Sequence, residues 1–113
     1  MEDEYTDFID KYEKIVLISF GTMFVPTDEQ MDLLTEALKL LDPKQIGFIM
    51  SLQEYATSYD KVKDMNLPNL MLKTRVPQRQ IVNHEKTMLF IGHCGANGVI
   101  ESLYYGKPIL GFP

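Results

Sequence analysis

The sequence predicts an α/β fold in which a parallel sheet carries helices on both faces. Short apolar runs alternate with helical segments along the chain, and this alternation is typical of parallel sheets. The first of these runs, residues 15–20, is mostly apolar and rich in β-branched residues, as expected for a strand buried on both faces. A glycine-bearing turn, residues 92–98 (GHCGANG), stands where one strand should give way to a helix.

The first third of the chain supplies a helix, a strand and a second helix. Residues 4–12 place Tyr and apolar residues at helical spacing, which predicts a short amphipathic helix. Residues 15–20, IVLISF, end at a glycine and predict a buried strand. Thr27 or Asp28 can cap a helix that runs to about residue 41. Its apolar residues recur on one face: Met31, Leu34, Leu38 and Leu41.

The middle of the chain continues the alternation. Residues 46–52 predict the second strand, and the polar region 54–69 predicts a loop or a weak helix. Residues 70–73 predict a third strand. Residues 77–84 predict a short helix with a proline near its first turn, and residues 88–91 a fourth strand.

The last part predicts one more helix and the start of a fifth strand. The helix covers residues 96–105, and Gly106 with Pro108 just beyond ends it. Residues 109–111 begin the strand. The 113 residues predict one small domain, divided into a linker or short helix at 1–14 and an α/β body at 15–113.

Composition excludes several classes of protein. The net charge is -5, and six of the sixteen acidic residues fall within the first fourteen positions. The chain has no basic stripe that could follow a nucleic-acid backbone, so we expect no nucleic-acid partner. No apolar run approaches the ~20 residues that span a bilayer, and the acidic N-terminus is not a signal peptide. We therefore expect a soluble chain that does not insert into a membrane. Its single cysteine forms no internal disulfide.

The turn at 92–98 carries the functional signal. The first N–H groups of a helix lack partners within the helix, and the helix dipole is positive there. A strand, a glycine-bearing turn and a helix therefore suit a phosphate group. Glu101 follows in the first turns of the helix, where its carboxylate could accept hydrogen bonds from sugar hydroxyls.

The spacing of these residues resembles the UDP-glycosyltransferases, two-domain enzymes of the GT-B fold. The resemblance covers about a hundred residues and is carried by the order and spacing of Pro77-Gln78, His84, His93, Gly95, Asn97-Gly98, Glu101, Gly106-Lys107-Pro108 and Pro113. The strand with Ser19-Phe20-Gly21-Thr22 also resembles the first strand of that family's donor domain. The resemblance implies a Rossmann-like sheet, the C-terminal half of a GT-B fold, incomplete at its C-terminal end. Residues 15–113 would be a partial domain for the UDP-sugar donor.

The resemblance implies a set of UDP-binding residues. His93, Gly95, Ala96, Asn97 and Gly98 would hold the diphosphate, and Glu101 the ribose. The loop with Arg75, Val76 and Gln78 would contact the uracil and the ribose, and a backbone approach at Gly21 with a hydroxyl from Ser19 or Thr22 would touch phosphate or sugar. For each residue an ordinary structural role stays open: a turn, a helix cap or a solvated side chain. His84 matches the family but is expected to be structural.

Three features depart from the family pattern. Arg75 stands where the family has a tryptophan that stacks on uracil, and a guanidinium plane can also stack on a base. Cys94 stands where the family has the first glycine after the histidine. The sequence ends before the aspartate-glutamine pair that holds the transferred sugar.

The function implied is binding of the UDP-sugar donor in an inverting glycosyltransferase that transfers a hexosyl or glucuronosyl group to an acceptor hydroxyl. No catalytic residue is assigned here, because in this family the acceptor domain carries the catalytic histidine. No metal and no other cofactor are expected, because helix N–H groups and His93 would take the charge of the departing diphosphate. An acceptor-binding domain or chain is the expected partner. Two alternatives stay open: a non-catalytic nucleotide-binding or interaction fragment, and the donor subunit of a two-chain enzyme. Full-length animal relatives are membrane proteins of the endoplasmic reticulum.

Overall fold

The computed structural model describes residues 3–20, 27–55, 59–65, 67–92 and 109–111. Within these ranges the elements, in chain order, are α1 (Asp3–Asp10), β1 (Lys14–Ser19), α2 (Asp28–Lys39), β2 (Ile46–Ser51), α3 (Tyr59–Asp64), β3 (Leu70–Lys73), α4 (Gln78–Asn83), β4 (Thr87–Gly92) and β5 (Ile109–Gly111). The predicted helix at 96–105 lies outside the described residues.

All strand pairs in the described sheet are parallel, and their order is β3-β2-β1-β4-β5. The chain therefore places β2 and β3 on one side of β1, and then β4 and β5 on its other side. The central strand β1 is apolar throughout because it is buried on both faces: residues 15–18 are each at most 1% exposed. The predicted α/β fold with a parallel sheet is confirmed.

The two faces of the sheet are covered by different helices. α2 and α3 cover one face, where the core contains Val16, Ile18, Phe48 and Met50 from the strands. α1 and α4 cover the other, where it contains Ile15, Leu17, Ile49 and Phe90. Alternate residues of β1 thus point into opposite cores, as the period of a strand requires. The prediction of helices on both faces is confirmed.

Helix α2 begins and ends where its sequence provides the signals. Thr27 is the N-cap: its hydroxyl accepts a hydrogen bond from the Gln30 N–H at 3.1 Å, and the Gln30 side chain accepts one from the Thr27 N–H at 2.9 Å. Met31, Leu34 and Leu38 are buried as predicted. The placement of Leu41 on the same buried face is wrong. Helix α2 ends at Lys39 with Leu40 as the C-cap, so Leu41 has left the helical repeat and is 37% exposed.

The two shorter helices refine the predictions. Region 54–69 contains α3, whose Val62 anchors it to the core and is 1% exposed. The short helix predicted at 77–84 is α4, with Pro77 as its N-cap residue and His84 as its C-cap residue.

Helix α1 packs onto the sheet along its whole length. Tyr5, Phe8 and Ile9 are buried in the core beside α4. Beyond the helix, the Tyr12 ring covers Gly47 so closely that a Cβ there would lie 2.6 Å from the ring. The helix predicted at 4–12 is therefore present and is part of the folded body, while the division at residue 14 stays a prediction. None of the helices in the described ranges is long and apolar enough to cross a bilayer.

Candidate functional site

The strand order reverses within the sheet, between β1 and β4. Strands β1 and β4 are neighbours, but β1 continues to β2 on one side and β4 to β5 on the other. In open parallel sheets, ligands bind outside the carboxyl ends of the strands at such a reversal. The last residues of the two strands, Ser19 and Gly92, are register partners and flank this point.

The two strands approach each other closely at the reversal. Ser19 is buried, with 8% of its surface exposed. A Cβ added to Gly92 would lie 3.0 Å from the Ser19 carbonyl oxygen and 2.5 Å from the Phe90 ring. Any larger residue at position 92 would therefore push against backbone on one side and a buried ring on the other. Residue 93 follows directly, so the segment predicted to bind phosphate starts from this tightly packed point.

The segment after β3 begins at the carboxyl ends of the strands as well. Strand β3 lies two strands away from β1, which corresponds to about 10 Å at ordinary strand spacing. Its start is fixed from β2 and its following loop: the Thr74 carbonyl accepts hydrogen bonds from the Ser51 hydroxyl at 3.3 Å and the Gln53 amide at 3.0 Å. The next carbonyl, that of Arg75, accepts a hydrogen bond from the Tyr5 hydroxyl of α1 at 3.1 Å.

The remainder of this segment is fixed by α4. The Val76 carbonyl accepts a hydrogen bond from the Gln78 N–H at 2.9 Å, and the Pro77 carbonyl accepts one from the Ile81 N–H at 3.1 Å. Each of the four carbonyls from residue 74 to residue 77 thus has a protein partner. The backbone of the predicted base-binding segment is therefore held in one conformation from both sides.

An open cleft borders this segment on the α1 side. It has a volume of about 730 Å³ and is lined by Glu4, Tyr5, Lys73, Arg75, Val76, Pro77 and Gln80. The Lys73 ammonium and the Glu4 carboxylate form an ion pair of 3.0 Å across it. The Arg75 side chain is exposed, whereas Val76 and Gln78 are half-buried. Arg75 is thus placed where its guanidinium could contact a ligand from solvent.

His84 lies at the amino end of β4, in the turn between α4 and β4, and thus at the opposite end of the strands from Ser19 and Gly92. Its Nδ1 accepts a hydrogen bond from the Lys86 N–H at 3.1 Å, and its carbonyl accepts one from the Thr87 N–H at 3.0 Å. The side chain thereby organises the turn that leads into β4. The structural role expected for His84 agrees with this geometry.

The predicted site residues divide into two groups. The structure places Ser19 at the reversal and Arg75, Val76 and Gln78 on the segment after β3. The other predicted residues lie outside the described residues: Gly21, Thr22, His93, Gly95, Ala96, Asn97, Gly98 and Glu101. Within the described ranges, no group of three His, Cys, Asp or Glu residues is placed to hold a metal ion.

Sequence reasoning missed the contributions of Glu4, Tyr5, Lys73 and Gln80 to the cleft. Tyr5 and Arg75 are 70 positions apart, and no local pattern reports such a contact. One signal was present, because Tyr5 lies on the buried stripe of α1 and a buried tyrosine hydroxyl usually needs a hydrogen-bond partner. The sequence indicates that a partner exists but not which residue it is.

Comparison with known proteins identifies the family. The family described as "UDP-glucoronosyl and UDP-glucosyl transferase" matches residues 2–113. The chain belongs to this family. Among its relatives, UDP-glucuronosyltransferase 2B13 of Oryctolagus cuniculus is 33% identical over 100% of the chain. Cyanidin-3-O-glucoside 2-O-glucuronosyltransferase of Bellis perennis is 30% identical over 94% of the chain. The chain spans only 20% and 24% of the lengths of these two relatives.

Solved structures of similar fold agree with this assignment. Os79 from O. sativa, solved in complex with UDP, is similar to this chain with a TM-score of 0.81 and 19% identity. The match covers 100% of this chain and 26% of the Os79 chain. A UDP-glucose: anthocyanidin 3-O-glucosyltransferase, also in complex with UDP, matches with a TM-score of 0.80 and 24% identity, over 99% and 25%. The fold is thus a part of the GT-B glycosyltransferase fold, as predicted.

Proposed function

We propose that this chain is the donor-binding part of an inverting glycosyltransferase that transfers a hexosyl or glucuronosyl group from a UDP-sugar to an acceptor hydroxyl. One observation carries the proposal: the strand order reverses between β1 and β4, and Ser19 and Gly92 meet there in a chain of the UDP-glycosyltransferase family. Open parallel sheets bind ligands outside the carboxyl ends of the strands at such a reversal.

The diphosphate is assigned to the reversal. The segment 93–98 contains His93, Gly95, Ala96, Asn97 and Gly98, and it follows Gly92, the last residue of β4, directly in the sequence. Gly21 and Thr22 follow β1 only two and three residues after Ser19, so both segments start at the same pair of strand ends. N–H and imidazole donors on these segments would bind the phosphate oxygens and offset the charge that develops on the departing UDP.

The base and the ribose are assigned to the neighbouring region. The segment with Arg75, Val76 and Gln78 follows the carboxyl end of β3, which lies two strands from β1. A nucleoside diphosphate bound with its base here and its phosphates at the reversal would lie along the carboxyl ends of the strands. Glu101 would accept hydrogen bonds from the ribose hydroxyls between the two.

The chemical step needs a group from elsewhere. In the proposed reaction, an acceptor hydroxyl loses its proton to a base and attacks the anomeric carbon, while the bond to the UDP oxygen breaks. We assign no catalytic base to this chain, and an acceptor-binding domain or chain would supply it. Support for a UDP-sugar donor comes from the two similar structures solved with UDP and from the glucuronosyltransferase relatives.

Calorimetric titration of UDP into the chain tests the proposal. We expect UDP to bind, uridine to bind much more weakly because it lacks the diphosphate, and ADP to bind less well than UDP. Replacing His93 by Ala should weaken UDP and pyrophosphate alike, whereas Glu101→Ala should weaken UDP and spare pyrophosphate.

The chain offers a matched control in its other histidine. His84→Ala removes an imidazole from the far end of the sheet, where it serves the turn before β4. This variant should keep the UDP affinity of the unaltered chain. A folded chain that gives no heat with UDP, or one that His93→Ala and His84→Ala weaken equally, would contradict the proposed site.

A further inference from the structure

The hydroxyl of Tyr5 connects the buried face of α1 to the segment after β3. The Tyr5 side chain is only 4% exposed, and its ring packs in the core that α1 shares with α4. Its hydroxyl leaves this apolar surrounding and donates a hydrogen bond to the Arg75 carbonyl at 3.1 Å. A second contact joins the same two elements, because Lys73 at the end of β3 pairs with Glu4 beside Tyr5.

This hydrogen bond fixes the orientation of one peptide unit. The Arg75 carbonyl and the Val76 N–H belong to the same planar trans peptide, so they point in opposite directions. Tyr5 holds the carbonyl toward α1, and the Val76 N–H therefore points away from that helix. Within the described part of the chain, no hydrogen bond uses the Val76 N–H as its donor.

The peptides on both sides cannot easily compensate for loss of this bond. The Thr74 carbonyl before it is held by Ser51 and Gln53, and the Val76 carbonyl after it is held by Gln78. The peptide between Arg75 and Val76 is thus the one whose direction depends on a side chain from α1. Without the Tyr5 hydroxyl it could rotate between its two fixed neighbours.

We propose that Tyr5 is a positioning residue for nucleotide binding: by holding the Arg75 carbonyl, it presents the Val76 N–H as a donor to a carbonyl oxygen of the pyrimidine base. The inference rests on the proposed function, because it takes the segment after β3 as the place of the base. Tyr5 itself does not touch the nucleotide. Its contribution is to keep the donor aligned before the ligand arrives.

Two tyrosine variants separate positioning from general stability. Tyr5→Phe removes the hydroxyl and keeps the buried ring. Tyr12→Phe is the matched control. The Tyr12 hydroxyl also donates to a backbone carbonyl, that of Pro68, at 3.2 Å. This bond lies at the amino ends of the strands, far from the proposed base site. Both variants lose one tyrosine-to-carbonyl hydrogen bond, and only one of these bonds lies next to the proposed base site.

We expect Tyr5→Phe to weaken UDP binding about three- to tenfold, the effect of one misaligned hydrogen bond, and to leave the affinity for pyrophosphate unchanged. Tyr12→Phe should change neither affinity. Equal UDP affinity in Tyr5→Phe and the unaltered chain would overturn the inference while leaving the proposed function intact. Equal weakening of UDP and pyrophosphate would also overturn it, because a stability effect does not distinguish the two ligands.

A second measurement uses the unaltered chain and is independent of how Tyr5→Phe folds. UDP should shift the Val76 amide resonance strongly, and pyrophosphate should leave it in place. A chain that binds UDP without a change at the Val76 amide would overturn the positioning role. A chain that does not bind UDP at all would overturn the proposed function together with this inference.

Discussion

The two faces of the sheet are similarly apolar, yet they are held together in different ways. On the α1–α4 face, polar contacts join positions far apart in the chain: Tyr5 to Arg75, Tyr12 to Pro68, Glu4 to Lys73, and the Lys86 ammonium to the Ile9 carbonyl. These partners are separated by 56 to 77 positions. Helix α1 is thereby attached to the sheet at both of its ends.

Among the residues that the structure describes, the contacts shown on the α2–α3 face are apolar packing and polar contacts closer in sequence. The Thr35 hydroxyl bonds to the Asp32 carbonyl three residues earlier, and Lys39 pairs with Glu36 at 3.6 Å within the same helix. One ion pair, Lys61 with Asp32, joins α3 to α2 at the surface. Such exposed pairs contribute little to stability.

The difference indicates that the α1–α4 face has a second task. Both faces bury the residues that fold the chain, but the long-range polar contacts of α1 near the carboxyl ends of the strands reach Lys73, the last residue of β3, and Arg75 on the segment after it. A hydrogen bond adds direction to an interface, which apolar packing alone does not. We interpret α1 as the element that holds the proposed base-binding segment in place.

The largest expected effect tests whether the two faces contribute equally to folding. Leu17 and Ile18 are neighbours in β1, each is 0% exposed, and they point into opposite cores. Replacing either by Ala should lower the free energy of unfolding by about 2–5 kcal/mol, since each leaves a cavity in a packed core. Urea denaturation of both variants measures this. A loss confined to one variant would show that one face carries the stability of the sheet.

A smaller effect should distinguish the carboxyl ends of the strands, where Gly92 lies, from the amino ends, where Gly47 lies. Gly92→Ala places a Cβ 2.5 Å from the Phe90 ring, and Gly47→Ala places one 2.6 Å from the Tyr12 ring. Each should cost about 1–3 kcal/mol of unfolding free energy, because a neighbouring ring must move. Only Gly92→Ala should also weaken UDP binding, since it crowds Ser19 at the reversal.

Thermal melts and UDP titrations of these two glycine variants provide the comparison. Gly47→Ala in a Tyr12→Ala background serves as a control, because removing the ring removes the clash at position 47. Weaker UDP binding by Gly47→Ala, or unchanged UDP binding by Gly92→Ala, would contradict the assignment of the nucleotide to the carboxyl ends of the strands.

The smallest effect concerns the surface pair on the α2–α3 face. The hydrogen bond to Asp32 raises the pKa of Lys61 above its usual value. The folded chain therefore holds this proton more tightly than the unfolded chain. The resulting stabilisation is complete below the ordinary lysine pKa of about 10.4 and is lost as the pH rises through the raised value.

Replacing Lys61 by Gln should remove this part of the pH dependence. The effect should be small, because the two side chains are 51% and 53% exposed. Thermal melts of the variant and the unaltered chain, compared near pH 8 and near pH 11, measure the difference. A stability gap between the two chains that is wider at pH 11 than at pH 8 would reverse the sign and refute the assignment.

Much of the fold could be predicted because its signals are local. The apolar run at 15–20 marks β1, and the strand at 70–73 was predicted with the bounds of β3. Thr27 marks the start of α2 through its capping box. The end of α2 was placed too late, because Leu40 and Leu41 continue the apolar pattern beyond the last helical residue.

The site could be predicted only in part. The spacing of motif residues indicated Val76 and Gln78, because those positions match a family pattern. The same spacing gave no information about Tyr5, Glu4 or Lys73, which reach the segment through packing of α1 on the sheet. Contacts over such separations follow from the topology, and a local sequence pattern does not contain them.

Amide NMR of the chain during a UDP titration tests the central claim most directly. We expect the shifting resonances to be the amides of Ser19, Gly92, Arg75, Val76 and Gln78 at the carboxyl ends of the strands, while the amides of Gln45 and Asn69 at the amino ends stay in place. Shifts concentrated at the amino ends of the strands, for example around the small groove between Leu38 and Leu67, would contradict this placement of the nucleotide. A well-dispersed spectrum that UDP leaves unchanged would contradict nucleotide binding by this chain altogether.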